Sequence, residues 1–250
     1  MAALDAYSWK DAGFGGQLAV IMGYGAAVAD VILQGLAEAG CKIAIVSRTQ
    51  SKLDDAAARH NKTLGEGTVK GFAFDLTNPA GVKDFLASIS AAFGLPIKVV
   101  YYNAVKFSLP HDAPADEVVA GCNVNFATLW TAFGAVLPEW LASEGGGVFI
   151  MSGGGLASNG APAAQFGAQF GATQKAFVKN FAESAQATYA DKGVHVCALE
   201  INSLVFGGVN IPDEYNQDPE GAKAFEGRLK AAVVATLADK RSNACYRKVY

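Results

Sequence analysis

The segment Gly23-Tyr24-Gly25-Ala26-Ala27-Val28 combines glycine with small residues directly after an apolar run. Glycine lets a backbone approach a pyrophosphate closely, and the free N–H groups at the start of a helix favour its negative charge. We therefore expect every residue of this segment except Ala26 to line a nucleotide phosphate site. The alternative is a turn with a purely structural role, since glycine-rich turns also occur without ligands.

A second candidate site is the pair Ser47-Arg48, which follows another apolar run. Dinucleotide folds specific for NAD usually carry an acidic residue there for the ribose hydroxyls, whereas a neutral residue followed by Arg suits a 2′-phosphate. The pair therefore favours NADP(H) over NAD(H). Alternatively, Arg48 is a surface residue paired with Asp54 or Asp55.

Apolar runs of strand length alternate with helical stretches, which is the pattern of βαβ units. Strands are predicted at 18–22, 42–47, 68–74, 98–102, 148–151, 194–200 and 246–250, and helices at 26–39, 51–60, 80–93, 115–141, 163–190 and 220–238. The pattern predicts one α/β domain over residues 1–250, a Rossmann-type doubly wound parallel sheet with helices on both faces. Ligands of such sheets bind beyond the carboxyl ends of the strands.

The composition argues against several classes of protein. The net charge of -3 and the lack of any run of Lys or Arg argue against nucleic-acid binding. The four cysteines and three histidines are widely spaced, which predicts neither a metal site nor a disulfide framework and indicates a reducing, cytoplasmic location. Residues 1–16 lack the apolar region of a signal peptide, and the uncharged stretches 118–138 and 145–174 contain too many polar residues for a membrane span.

Four further motifs occur in order beside the predicted elements. They are Phe74-Asp75-Leu76, Tyr102-Asn103-Ala104, Asn123-Val124-Asn125 and Ser152-Gly153-Gly154-Gly155. Together with the glycine segment they make the sequence resemble the short-chain dehydrogenase/reductase family from about Gln17 to Leu204.

The resemblance implies a role for each matching residue. Asp75 would accept a hydrogen bond from the adenine amino group, and Leu76 would present backbone groups. Asn103 and Ala104 would line the cofactor cleft, and Asn125 would hold a helix irregularity and a water of a proton relay. Considered on their own, Asp75 can equally cap the following helix and Asn125 can satisfy buried backbone groups.

The family carries a Tyr-x-x-x-Lys pair on its sixth helix, where the spacing places both side chains on one helical face. This sequence reads Gly171-Ala172-Thr173-Gln174-Lys175, so the lysine is present and the tyrosine is absent. The resemblance implies that Lys175 binds the nicotinamide ribose. The alternative is a structural lysine whose methylene groups cover apolar surface.

The hydroxyl groups near this motif are also unusual. Ser152 is the nearest serine, while Gly153 occupies the position of the family's catalytic serine and Ser158 is a further candidate. Without the phenol, proton transfer requires a water chain, Ser152, or a tyrosine from elsewhere such as Tyr102 or Tyr24. We therefore expect Lys175, Ser152 and Asn125 to form the catalytic group.

Two further departures concern cofactor binding, because Ala27 and Ala29 occupy usual glycine positions and Ile201-Asn202 replaces Pro-Gly. Residues 203–219 are predicted to form the substrate lid. Phe206, Ile211 and Tyr215 make that lid apolar and aromatic, which favours an apolar or ring-containing substrate.

These features predict an NADP(H)-dependent oxidoreductase that acts on a carbonyl group or an activated double bond of a small molecule. Two alternatives stay open. One is a nucleotide-binding sensor, scaffold or subunit without hydride transfer, and the other is a non-redox enzyme that uses the same cleft. The long, poorly charged helices at 115–141 and 163–190 are the expected association surfaces of a homodimer or homotetramer.

Overall fold

The computed structural model describes residues 13–25, 28–157, 163, 167–201, 219–238 and 246–249. The strands are β1 (Leu18–Met22), β2 (Lys42–Ser47), β3 (Val69–Ala73), β4 (Ile97–Tyr102), β5 (Gly147–Ser152), β6 (Val194–Ile201) and β7 (Tyr246–Val249). They form one parallel sheet in the order β3-β2-β1-β4-β5-β6-β7. The predicted Rossmann-type doubly wound fold is thereby confirmed.

The described helices connect successive strands. They are α1 (Val28–Glu38), α2 (Gln50–Leu64), α3 (Val82–Phe93), α4 (Ala115–Cys122), α5 (Thr128–Ala142), α6 (Gln169–Tyr189) and α7 (Pro219–Ala238). Short 3₁₀ turns lie at Pro79–Gly81, Gly155–Ala157 and Ala190–Lys192.

The strands β1, β2, β4, β5 and β6 are largely buried on both faces, which explains why each of them is a nearly continuous apolar run. Alternate residues of β1 belong to two different cores: Ile21 packs on the side of α1 and α7, and Val20 packs on the side of α3, α5 and α6. Because helices cover both faces of the sheet, polar side chains can gather at the carboxyl ends of the strands.

The order of the strands reverses beside β1, which has β2 on one side and β4 on the other. Met22, the last residue of β1, is aligned with Val46 of β2 and with Tyr102 of β4. A crevice at this reversal point is where sheets of this kind bind their ligands.

Three helices differ from the sequence prediction. Helix α2 continues to Leu64 because the Asn61 side chain bonds both backbone groups of Val69 and so extends the helix past His60. The predicted single helix at 115–141 contains a π-helical turn at Asn123–Ala127. Helix α6 begins at Gln169 rather than at residue 163.

By length and composition alone, Ala115–Ala142 is apolar enough to cross a membrane, a test that core helices of soluble proteins also pass. Its polar side chains are bonded within the protein: Asn125 is fully buried, and Thr128 Oγ1 donates to the carbonyl oxygen of Leu76 at 2.6 Å. About one-third of this apolar window is buried inside the protein.

Candidate functional site

The glycine turn after β1 is pressed against the segment that follows β4. Gly23 has a φ of +89°, and a Cβ there would lie 2.5 Å from the backbone nitrogen of Ala104, so only glycine fits. The backbone N–H groups of Gly23 and Tyr24 both donate to the carbonyl oxygen of Val46, at 3.0 and 2.7 Å. The turn is thereby fixed to the end of β2, and Gly25 next to it has open space where a side chain would stand.

Helix α1 begins at Val28 directly beyond this turn, and Ala29 is fully buried against the sheet. Val28 therefore lies where the predicted phosphate site requires a helix N-terminus. Ala27, the other residue predicted to line that site, lies outside the described residues.

The phenol of Tyr24 belongs to a polar cluster between α1 and α2. It donates a hydrogen bond to Asp30, and its oxygen lies 3.2 Å from His60 Nε2 and 3.4 Å from Arg59 Nη2. Burial, together with the hydrogen bond to Asp30, raises the pKa of the phenol above its ordinary value. The proton of Tyr24 is therefore held by Asp30, and this phenol does not serve the site around Lys175.

Ser47 and Arg48 lie at the carboxyl end of β2, at the edge of the crevice. The carbonyl oxygen of Ser47 accepts a hydrogen bond from Phe74 N at 2.8 Å, while Arg48 is exposed. No ion pair joins Arg48 to Asp54 or Asp55, and all three of these residues are described. The alternative interpretation of Arg48 as one half of such a pair is therefore wrong.

Asp75 and Leu76 lie across from Arg48. Asp75 Oδ1 accepts a hydrogen bond from Thr77 N at 2.9 Å, which lowers the pKa of the carboxyl group, and the charge of Arg48 lowers it further. The cap of the following 3₁₀ turn is Asn78, not Asp75, because Gly81 N donates to Asn78 Oδ1 at 3.3 Å. Asp75 itself is exposed, so its carboxylate remains accessible to a ligand.

A chain of hydrogen bonds connects the sheet core to the glycine turn. Ser152 Oγ donates to Asn103 Oδ1 at 2.7 Å, and Asn103 Nδ2 donates to the carbonyl oxygen of Gly23 at 3.1 Å. Tyr101 lies 2.6 Å from Ser152 Oγ and must be the donor there, because Ser152 has already used its only proton. The network joins the ends of β1, β4 and β5 in one arrangement.

Lys175 reaches the same edge of the sheet from α6. Its ammonium group donates to the carbonyl oxygen of Ser152 at 2.7 Å, and the side chain is buried. Burial lowers the pKa of Lys175 to about 8, because the charged form loses its hydration. A Cβ at Gly154 would lie 3.7 Å from Lys175 Cδ and Cε, so the methylene groups of the lysine run past this glycine.

Asn125 occupies the centre of the π-helical turn. Its Oδ1 accepts from Lys106 N at 2.7 Å, and its Nδ2 donates to the carbonyl oxygen of Lys106 at 3.0 Å. The side chain thus accompanies a helix irregularity and also satisfies buried backbone groups, as the simpler alternative predicted. A water relay through Asn125 stays a prediction.

Gly171 stands one helical turn before Lys175, and its surface is covered by Phe107. A Cβ at Gly171 would lie 2.6 Å from Phe107 Cδ2, and Gly171 N donates to the carbonyl oxygen of Phe107 at 2.8 Å. Phe107 and Leu156 pack on a small apolar cluster that includes Ala172. An aromatic ring without a hydroxyl group therefore lies beside the buried lysine.

The structure corrects the predicted sources of a replacement phenol. Tyr102 donates to the carbonyl oxygen of Val124 at 2.5 Å, and Tyr24 donates to Asp30, so neither bonds Ser152. Tyr101 does, although the sequence analysis missed it. Residues two apart in a strand face the same side of the sheet. The position of Tyr101 two residues before Asn103 could therefore have predicted that both side chains contact the same group. Phe107, in contrast, lies in an irregular segment whose sequence gave no such signal.

Some predicted features cannot be compared with the structure. Ser158, Asn202 and residues 203–218 of the predicted lid lie outside the described residues, and Pro219 is the first residue of α7. Within the described ranges, no three or more His, Cys, Asp or Glu side chains come together as a metal site, and no disulfide joins Cys41, Cys122 or Cys197.

Comparisons with known proteins agree with this geometry. A family model described as short chain dehydrogenase matches residues 17–205. An uncharacterized oxidoreductase of Staphylococcus aureus (strain N315) is 25% identical over 209 residues, which are 82% of this chain and 86% of the relative. The family resemblance seen in the sequence is thereby confirmed.

Two solved structures share the fold. L-Sorbose reductase from Gluconobacter frateurii, complexed with NADPH and L-sorbose, aligns with a TM-score of 0.77, 19% identity and coverage of 96% of this chain and 97% of that one. An NADPH-bound short chain oxidoreductase from Pseudomonas aeruginosa PAO1 with an atypical catalytic center aligns with a TM-score of 0.73, 17% identity and coverage of 93% and 95%.

Proposed function

Because the chain belongs to the short-chain dehydrogenase family, we propose that it is an NADP(H)-dependent oxidoreductase acting on a carbonyl group or an activated double bond. The observation that carries this proposal is the position of Lys175. Its buried ammonium group is bonded to the carbonyl oxygen of Ser152, whose hydroxyl group connects through Asn103 to the glycine turn at Gly23. A cation and a phosphate-binding turn are thus fixed relative to one another.

The residues of the crevice fit a nicotinamide dinucleotide. Open space beside Gly25 admits a phosphate group, and the exposed carboxylate of Asp75 can accept from an adenine amino group. Lys175 has donors left for the ribose hydroxyls, since one of its three N–H groups bonds Ser152. When bound, the coenzyme supplies or accepts the hydride.

The positive charge of Arg48 at the end of β2 favours NADP(H) over NAD(H). Arg48 is free of Asp54 and Asp55, and a guanidinium group binds a phosphate through paired hydrogen bonds. The L-sorbose reductase and the Pseudomonas oxidoreductase are both described with NADPH, which supports the same choice.

The substrate class follows from Gly171 and Phe107. We infer that Gly171 stands where the family has its catalytic tyrosine, so the reaction lacks the usual phenolic acid. A conjugated or iminium-like carbon needs less simultaneous proton transfer than a ketone and would tolerate this loss. The apolar surface formed by Phe107, Leu156 and Ala172 favours a small apolar or ring-containing substrate.

The experiment combines a binding step with a turnover step. NADPH and NADH are titrated against the purified protein by nicotinamide fluorescence. The complex is then incubated with matched saturated ketones, conjugated enones and cyclic imines while the absorbance of the reduced nicotinamide is followed. We expect tighter binding of NADPH and faster oxidation with enones or imines than with ketones. Fast reduction of simple ketones by a Ser152→Ala variant would contradict the proposed substrate class.

One observation favours a second candidate, a coenzyme-binding protein without hydride transfer. Phe107 covers Gly171, and the hydroxyl group of Ser152 is engaged by Tyr101 and Asn103. The same experiment separates the two functions, because this candidate binds NADPH but oxidises it with none of the substrates.

We also propose that the chain forms a homodimer or homotetramer through α4, α5 and α6 in the cytoplasm. Trp130 is 62% exposed, and two apolar depressions of about 310 and 460 Å³ lie beside it. Exposed apolar surface of this kind marks protein contacts. Sedimentation of the native chain and of Trp130→Glu tests the assembly, which should dissociate in the variant. Among the described residues no disulfide joins Cys41 or Cys197, which suits a reducing compartment.

A further inference from the structure

The hydroxyl groups around the site have already committed their protons. Ser152 donates to Asn103, Tyr101 donates to Ser152, and Tyr102 donates to the carbonyl oxygen of Val124. Asn103 Oδ1 and a backbone carbonyl oxygen are pure acceptors, so neither chain of donors ends on a group that could pass a proton onward. Within the described part of the chain, a substrate oxygen therefore needs another acid.

On α6 the remaining hydroxyl group near the lysine is that of Thr173, which is exposed and donates to the carbonyl oxygen of Phe170 at 2.7 Å. Gly171 and Ala172 carry no donor beyond their backbone, and the backbone N–H of Gly171 is taken by Phe107. The side chains of the first turn of the helix therefore offer no acid either.

Lys175 differs from all of these groups. One N–H of its ammonium bonds the carbonyl oxygen of Ser152, and the other two have no partner in the part of the chain that the structure describes. The methylene groups of the lysine run past Gly154, where a Cβ would lie 3.7 Å from Lys175 Cδ and Cε. Burial lowers its pKa to about 8, which places the acid near the pH of the cell.

Among the described residues, no carboxylate forms an ion pair with this ammonium group. Of the elements packed against α6, β6 carries Glu200 towards its C-terminal end and His195 towards its N-terminal end, where His195 Nδ1 contacts Gln186. Strand β7 carries Tyr246, Arg247 and Lys248.

The nearest acidic side chain of the π-helical region is Glu117 on α4, which pairs with Lys106 at 2.9 Å. No ion pair within 4 Å joins Lys175 to Glu200, Glu117 or another carboxylate of the described residues. The acidity of the amine is therefore not suppressed by a bound counter-ion.

We propose that Lys175 is itself the acid that protonates the substrate, in place of the phenol that Gly171 lacks. For a carbonyl substrate, its carbon gains a hydride from the reduced nicotinamide while an N–H bond of Lys175 breaks and an O–H bond forms on the substrate oxygen. The product is the alcohol, and the neutral amine regains its proton from water. This inference rests on the proposed function and assigns its proton transfer to one atom, Lys175 Nζ.

The test uses a substitution that keeps the charge and removes the acid. Lys175→Arg retains a cation and N–H donors toward Ser152, but a guanidinium group does not release a proton at any working pH. A proton donor contributes about 100- to 10,000-fold. We expect Lys175→Arg to lose about 100-fold or more in kcat at saturating NADPH, with the Kd for NADPH measured separately so that a change in binding is not counted as a change in kcat. Retention of most of kcat overturns the inference and leaves the proposed function standing.

A second variant keeps the test decisive should the arginine disturb the fold. Lys175→Ala is assayed with added ethylammonium and, as the matched control, with tetramethylammonium, a cation that carries no proton to donate. Rescue by ethylammonium alone supports the inference, whereas equal effects of both ions overturn it, because only charge would then matter.

A measurement without turnover completes the design. The native protein is labelled with ¹⁵N-lysine, and the Nζ resonance absent from Lys175→Met is titrated in the free protein. Titration near pH 8 supports the assignment, and titration near the ordinary value of 10.5 overturns it. If the native chain binds no nicotinamide coenzyme at all, the proposed function fails together with the inference.

Discussion

The backbone N–H of Gly171 donates to the carbonyl oxygen of Phe107 at 2.8 Å, and the ring of Phe107 lies against the same glycine. The missing side chain on α6 and the aromatic ring opposite it are therefore complementary. A Cβ alone at this position would approach Phe107 Cδ2 to 2.6 Å, so a larger side chain cannot enter unless the ring moves. The proposed replacement of the family's tyrosine by Gly171 is therefore one that the packing of Phe107 would accommodate.

This complementarity predicts how a phenol could be restored. Gly171→Tyr alone should destabilise the protein by about 1 to 3 kcal/mol through overpacking against Phe107. Adding Gly171→Tyr to Phe107→Ala should not cause this loss, so the double variant should be as stable as Phe107→Ala alone. The double variant should also reduce saturated ketones about 100-fold faster than the native chain. Urea unfolding and the absorbance of the reduced nicotinamide measure the two effects.

The matched control for this prediction is Gly171→Phe with Phe107→Ala, which has the ring without the hydroxyl group. If that variant reduces ketones as fast as the tyrosine variant, the gain comes from space and not from the acid. The proposal that Gly171 stands in place of a catalytic tyrosine would then be wrong.

The fold was predictable from the sequence to a greater extent than the site. Strands such as Leu18–Met22 and Lys42–Ser47 have the predicted bounds, because burial on both faces makes each strand an apolar run that ends where the burial ends. The helix irregularity at Asn125 was expected from the family resemblance and not from the periodicity of residues 115–141, because Asn125 acts on Lys106, a residue of a distant loop. The contact of Phe107 with Gly171 likewise depends on tertiary packing.

Arg48 provides a prediction about coenzyme choice. Arg48→Ala should raise the Kd for NADPH about 10- to 100-fold, since a hydrogen bond to a charged group contributes about 1.5 to 3 kcal/mol. The Kd for NADH should change by less than about 3-fold, because that coenzyme lacks the phosphate. Fluorescence titration of both coenzymes provides the comparison.

Lys52→Ala is the control for that prediction, because Lys52 is an exposed cation of the same region of α2. It removes the same charge and should leave both Kd values nearly unchanged. Equal losses in the two variants would indicate a general effect of surface charge and would contradict a specific contact of Arg48 with the 2′-phosphate.

Tyr101 and Tyr102 form a matched pair for testing the hydrogen-bond network. Tyr101→Phe removes the donor to Ser152, and Tyr102→Phe removes the donor to Val124, so each should cost about 1 kcal/mol of stability in urea unfolding. Only Tyr101→Phe should also weaken NADPH binding, because Ser152 connects through Asn103 to the glycine turn. Equal Kd values for NADPH in the two variants would show that the hydrogen-bond network of Ser152 does not contribute to coenzyme binding.

The buried ammonium group predicts an unusual dependence of stability on pH. Lys175 has a pKa of about 8 in the folded protein against an ordinary value of 10.5, so between these values the unfolded chain binds more protons. The free energy of unfolding of the native chain should therefore rise with pH across this range, by about 3 kcal/mol at about 1.4 kcal/mol per pKa unit. Lys175→Met has no such group and should lack this rise.

Urea unfolding of both proteins at pH 7 and at pH 10.5 measures the difference, and the ionisation of other groups cancels in the comparison. Lys83→Met, at an exposed position on α3, controls for the loss of any lysine. At pH 7 the methionine variant should be as stable as the native chain or more so, because removal of the desolvated charge offsets the lost hydrogen bond to Ser152. The opposite result would be a native chain that loses stability relative to Lys175→Met as the pH rises. It would show that the fold stabilises the charged form of Lys175 and does not lower its pKa. The site would then hold a permanent cation.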